Sequence, residues 1–233
     1  MKKFFTLIAA VAMAASVNAQ TETAVIEADA SYAGAQVLST TNAQIVLGAD
    51  NETFTVKAGS LSSEQPYVAY IAGKNNPKDA DDSGYDVEKK NKPVKGCYYV
   101  FSAKKNGKVE IGIQLANNKA FYVLDGETAE NSVTKTLVDK SGKTISLNAE
   151  QKVDEKLYGT VNFEVVADKE YYVFCAGSKL GFYGYQFTPD SATGISSVIS
   201  SSGKSAATYN LAGQQVSDSY KGIVIKNGKK YVK

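Results

Sequence analysis

Between Thr23 and Thr188 apolar residues come in short runs broken by turn residues. In KVEIGIQL, Val109, Ile111, Ile113 and Leu115 share one face, and in TVNFEVV the face is Val161, Phe163 and Val165. A period of two marks a strand with one side in a core. QIVLG, TFTVKA, YVAYIA, CYYVFSA, AFYVLDG, KTISLN, EYYVFCA and FYGYQF also read as strands, rich in β-branched and aromatic residues. Asn106-Gly107, Asp125-Gly126 and Ser141-Gly142 are turn or hairpin signals between them. Pro93 makes the lysine-rich VEKKNKPVKG a loop. About ten strands without helical crossovers predict an all-β chain, an antiparallel β-sandwich of jelly-roll type.

One hexapeptide occurs almost twice, as YYVFSA from Tyr98 and YYVFCA from Tyr171. The flanks diverge at once, so the pattern predicts two well-paired strands of one sandwich rather than a duplicated module. Cys97 shares strand parity with Tyr99 and Phe101, and Cys175 with Tyr171 and Val173. The two cysteines thus have opposite parities relative to the shared stretch, which speaks against pairing them by symmetry. A Cys97–Cys175 disulfide stays open as a possibility in an oxidising compartment.

The termini are patterned differently. Lys2 and Lys3, the apolar FFTLIAAVAMAA and the small residues of SVNA predict a signal peptide over 1–19, cut between Ala19 and Gln20. The apolar run is too short for a stable membrane span. The sandwich is then expected over 20–190 and a Ser/Gly-rich linker over 191–207. A small β tail over 208–233 follows, with turns at Ala212-Gly213 and Asn227-Gly228.

Composition narrows the chemistry. The formal net charge of +2 equals the contribution of Lys2 and Lys3, so the remainder is balanced and has no field for nucleic acid. The chain has no histidine, which removes Ser-His-Asp and Cys-His mechanisms and His-ligated metals. Absence of arginine removes bidentate recognition of phosphate or carboxylate. Tryptophan is also absent, leaving 15 tyrosines as the aromatic groups with a polar handle. No G-x-S-x-G elbow occurs and no motif sets two carboxylates opposite each other, so the expected protein is not an enzyme.

Two loops carry candidate chemistry. DADDSGYDVEKK begins like a calcium loop, with Asp79, Asp81 and Ser83 at positions one, three and five and Gly84 at six. Its twelfth position, which needs a bidentate glutamate, is Lys90. Tyr85 in this loop is a sugar-stacking candidate. In GSKLGFYGY the glycines let a ligand approach, and Lys179, Tyr183 and Tyr185 are candidates to face it; the alternative is a bulged strand whose aromatics fill the core.

Two resemblances add to this reading. YNLAGQQV followed by KGIVIKNGKKYVK resembles the C-terminal sorting tails of proteins exported by Bacteroidetes through type IX secretion. Gly213, Gly222, Gly228 and Lys233 are its matching positions. That implies secretion machinery as a partner and a secreted or outer-surface location in a Gram-negative bacterium. CYYVFSAKKNGKVEIGIQLANNKAFYV and YYVFCAGSKLGFYGYQF resemble galactose-binding-like carbohydrate-binding modules. VIEADA is similar to the opening of their calcium-containing members, which implies Glu27 and Asp29 as Ca²⁺ ligands on one strand face. In that family an aspartate on the last strand completes the site, and here Gln186 is the nearest polar residue. The expected function is non-catalytic binding of a polysaccharide or glycan. The rival is a surface structural or adhesive protein that binds another protein.

Overall fold

The computed structural model describes residues 20–48, 53–62, 65–79, 92–126, 132–191, 208–210, 215–217, 219–226 and 229–232. Among the described residues, fourteen strands precede Asp190. They are β1 (Glu22–Val25), β2 (Tyr32–Ala33), β3 (Val37–Ser39), β4 (Ala43–Leu47), β5 (Thr53–Ala58), β6 (Ala69–Ala72) and β7 (Tyr98–Ala103), then β8 (Gly107–Leu115), β9 (Ala120–Leu124), β10 (Lys135–Asp139), β11 (Thr144–Ile145), β12 (Leu157–Val165), β13 (Glu170–Ala176) and β14 (Gly181–Pro189). Four more of the described strands lie near the C-terminus: β15 (Thr208–Asn210), β16 (Gln215–Val216), β17 (Ile223–Lys226) and β18 (Lys229–Val232). All pairings are antiparallel, and no helix occurs among the described residues.

The chain divides into two units, 1–191 and 192–233. The first is an antiparallel β-sandwich. Its large sheet runs β11-β10-β12-β8-β14-β6-β5-β2, with β1 paired to β14, and its small sheet runs β3-β4-β7-β13-β9. In the second unit the strands form a sheet of order β16-β15-β17-β18.

From β7 onward the chain passes between sheets almost strand by strand. The Asn106-Gly107 signal therefore marks a corner that carries the chain from β7 in one sheet to β8 in the other, not a hairpin. Asn106 pins that corner: its Oδ1 accepts the Ala167 N–H at 2.8 Å, and its carbonyl accepts the Asp190 N–H at 2.8 Å. Ser141-Gly142 does close a hairpin, between β10 and β11. There Asp139 Oδ1 accepts from the backbone N–H groups of Ser141 and Lys143 and from the Ser141 hydroxyl. Those bonds hold the Asp139 carboxyl below its usual range.

The alternation of β8 and β12 turns Val109, Ile111, Ile113 and Leu115, with Val161, Phe163 and Val165, into the space between the sheets. Tyr99, Phe101, Tyr171 and Val173 meet them from β7 and β13. Phe101 sits at the centre of this layer. Its ring lies 5.3 Å from Tyr185, edge-on at 79°, 5.9 Å from Phe187 and 6.5 Å from Phe163. Buried tyrosines place their hydroxyls on main-chain groups, as a low-polarity interior requires. Tyr99 donates to the Leu180 carbonyl at 2.9 Å and Tyr185 to the Ala43 carbonyl at 3.0 Å.

The two YYVF stretches are neighbours, with β7 against β13 in the register Tyr99↔Val173 and Phe101↔Tyr171. Their antiparallel sense explains the opposite cysteine parities: Cys97 and Cys175 both belong to the inner core face. Both stand as thiols in this structure.

Lys135 is the one lysine on β10's inward side, register-paired with core residue Phe163. Its Nζ donates to Gln151 Oε1 at 3.1 Å, and burial lowers its pKa to about 8 from an ordinary 10.5. A lysine depressed on folding opposes stability wherever both states are protonated. The opposition fades as pH rises through 8 toward 10.5, where the unfolded chain binds more protons than the folded one. Lys135→Met is therefore expected to raise unfolding free energy at pH 7 by on the order of 1–3 kcal/mol. The difference from wild type should shrink steadily in guanidinium titrations between pH 8 and 10.5; a pH-independent difference would contradict this placement.

Candidate functional site

Sending alternate residues into the core sends the intervening ones to the outer face of the large sheet. Strand register then aligns them across five strands. Thr136 of β10 pairs with Asn162 of β12, Asn162 with Glu110 of β8, Glu110 with Gln186 of β14, and Gln186 with Thr23 of β1. This is one continuous polar row, spanning about 19 Å at the usual strand spacing. A second row runs beside it, with Glu164 opposite Lys108 and Lys108 opposite Thr188, whose Oγ1 lies 2.8 Å from Thr21 Oγ1. Lys108 and Glu164 form an exposed ion pair at 3.2 Å. The two rows line a shallow trough of about 500 Å³.

Glu110 is at its centre. Half-buried, it accepts a hydrogen bond from Gln65 Nε2 at 3.3 Å, while the Tyr67 hydroxyl donates to the Glu110 main-chain carbonyl at 3.4 Å. Burial raises the Glu110 pKa, and the Gln65 bond partly opposes the rise. The Asn162 side-chain amide donates to Thr160 Oγ1 at 3.2 Å, which fixes its orientation on the face.

One end of the face is aromatic. Tyr67, Tyr70 and Tyr183 cluster with ring separations of 4.9 Å for Tyr70–Tyr183 and 6.3 Å for Tyr67–Tyr183, and half-buried Tyr158 packs against them. Gly112 makes room for this cluster, since a Cβ there would sit 2.8 Å from Tyr183 Cβ and 3.1 Å from the Tyr67 ring. Gly184 (φ +134°) allows the bulge that shifts the β14 register between Phe182 and Gly184, where a Cβ would strike the Ala24 carbonyl of β1. Lys156 lies over the Tyr158 ring at 4.8 Å. A second depression of about 430 Å³ lies over β10 and β11 and shares Thr134 and Thr136 with the first.

The residues singled out in the sequence fare differently. Tyr183 and Tyr185 are 1% and 0% exposed, so neither presents a ring to a ligand; the bulged-strand alternative holds for both. Lys179 is exposed in the link between β13 and β14. Glu27 and Asp29 do not share a strand face, because β1 ends at Val25 and the Ala30 N–H donates to the Glu27 carbonyl at 3.3 Å to close a turn. Asp79 is buried. Asp81, Ser83, Gly84, Tyr85 and Lys90 lie outside the described residues, as do Ala19, Gly213, Gly228, Lys233 and the two expected tail turns. Gln20 is exposed, and Gly222 precedes β17 with φ +137°. Among the described residues no three acidic or cysteine side chains gather in a metal-holding cluster.

The ladder residues were visible in the sequence only as the polar half of an alternating pattern. Their alignment depends on β1, β10, β12, β8 and β14 being neighbours, which no local pattern encodes. The chain matches no protein-family model and no curated protein sequence.

The environment of Glu110 has a direct readout. Carboxyl-carbon NMR titration should place its midpoint above the ordinary glutamate value of about 4.3. Gln65→Ala, which removes the bond that favours the carboxylate, should move it higher still. A midpoint at or below the ordinary value would remove Glu110 from a half-buried site.

Proposed function

We propose that this chain is a non-catalytic glycan-binding protein whose ligand lies across the polar ladder of the large sheet. The carrying observation is the row Thr136–Asn162–Glu110–Gln186–Thr23, in which hydroxyl, amide and carboxylate groups alternate across five adjacent strands. Amides and hydroxyls both donate and accept, as sugar hydroxyls do, whereas a carboxylate accepts from them. A row of this length fits an extended oligosaccharide better than a single sugar. The trough has no exposed aromatic ring among its lining residues, so binding here rests on hydrogen bonds made in competition with water and is weak.

The proposal includes export. Lys2, Lys3 and the apolar stretch after them support a signal peptide, and the tail's resemblance to sorting domains supports a secreted or outer-surface location. No helix among the described residues is long and apolar enough to cross a membrane.

A glycan array probed with the full chain, with and without Ca²⁺, should identify a neutral polysaccharide ligand. Against the best oligosaccharide from that array, Asn162→Ala and Gln186→Ala should each weaken binding about tenfold, or ~1.4 kcal/mol, with thermal unfolding unchanged. Lys179→Ala should leave affinity intact. No glycan binding, with a protein captured by the same face, would favour the adhesive reading. Loss on Lys179→Ala alone would move the site to the β13–β14 link.

A further inference from the structure

We propose that Cys97 and Cys175 are a redox pair whose oxidised form is an intramolecular disulfide stapling β13 to the entry of β7. The register of these strands ends at Tyr98↔Phe174, and Cys97 and Cys175 each lie one residue beyond that last pair, at the same end of the ladder. That last pair has Cα atoms about 4.5 or 5.5 Å apart, so its two flanking cysteines need only a local adjustment of the ladder end to enter the range a disulfide spans. Both cysteines belong to the inner core cluster between the sheets.

Their surroundings tolerate the bond. The Cys97 thiol donates to the Leu180 carbonyl and accepts the Gly73 N–H, each at 3.3 Å. Oxidation removes the thiol proton, but the Leu180 carbonyl keeps the Tyr99 hydroxyl at 2.9 Å, so no buried acceptor is orphaned. Sulfur remains an acceptor for Gly73.

The chemistry is two successive thiol–disulfide exchanges with an external disulfide, of a small thiol or a disulfide oxidoreductase. One cysteine thiolate attacks that disulfide, forming a mixed disulfide and releasing one thiol. The second cysteine then attacks its partner's sulfur, forming the Cys97–Cys175 bond and releasing the other thiol. Two electrons and two protons pass to the external disulfide, which ends as two thiols. The exchange belongs to folding rather than to the finished sandwich. Cys97 is 1% and Cys175 0% exposed, and burial, with the nearby Cys97 sulfur, pushes the Cys175 thiol up to about 12, so little thiolate forms once the sheets have closed. The same burial then shields the disulfide from reductants.

The test is refolding of the full chain with oxidised and reduced glutathione, or with dithiothreitol alone, followed by unfolding in guanidinium and alkylation with iodoacetamide. After the glutathione arm, mass spectrometry should find no alkylated cysteine, a mass two hydrogens lower, and a Cys97–Cys175 cross-linked peptide. That product should melt about 10 °C above the dithiothreitol product, given the long loop the bond closes. Cys175→Ala should abolish both the cross-link and the difference between the two arms. Two alkylated thiols or glutathione adducts in the oxidising arm, or a cross-linked product melting no higher than the reduced one, would overturn the proposal.

Discussion

The contact between the inner faces of the two sheets, with Phe101 set among Tyr185, Phe187 and Phe163, determines where every other side chain of the sandwich goes. A strand's side-chain period is two, so burying Ile111 and Val161 leaves Glu110 and Asn162 to face water. Slipping β8 by one residue would put Glu110 among aromatic rings and expose Ile111, a cost that holds the register firmly. The outer ladder is thus a by-product of core packing. Its rigidity comes from strands anchored on their other side, which is a better support for a binding row than a loop.

This relation also separates what the sequence made legible from what it concealed. The pattern Val109-Ile111-Ile113-Leu115 identified both the strand and its buried face, because alternation is local. TFTVKA and YYVFSA coincide with β5 and β7 for the same reason. Strand β10 went unread: Lys135 stands where the pattern calls for an apolar residue, leaving only Leu137 deeply buried. Neighbours were concealed too. Asn106-Gly107 has hairpin chemistry, yet it joins strands of different sheets, since a turn signal reports a reversal of direction and not the partner that follows it.

Tyrosines show the limit for function. Tyr183 and Tyr185 sit in a glycine-rich stretch that reads equally as a flexible binding loop or a bulged strand, and only the pairing of β14 with both β1 and β8 decides. With that pairing Tyr185 enters the core and Tyr183 joins Tyr67 and Tyr70 under the outer face. The lysines near this face contribute little individually; Lys108–Glu164, exposed on both sides, is a pair of small net energy. Neutral hydrogen-bonding groups dominate the ladder instead, and the proposed glycan reading rests on that chemistry.

On the proposed reading the ladder, rather than the loops, meets the ligand. An amide NMR titration of the isotopically labelled full chain with a bound oligosaccharide tests it most directly. The side-chain amides of Asn162 and Gln186 and the backbone amides around Glu110 should shift together and saturate at one concentration. Shifts confined to Gly177–Leu180, or spread over the small sheet with the ladder silent, would contradict it.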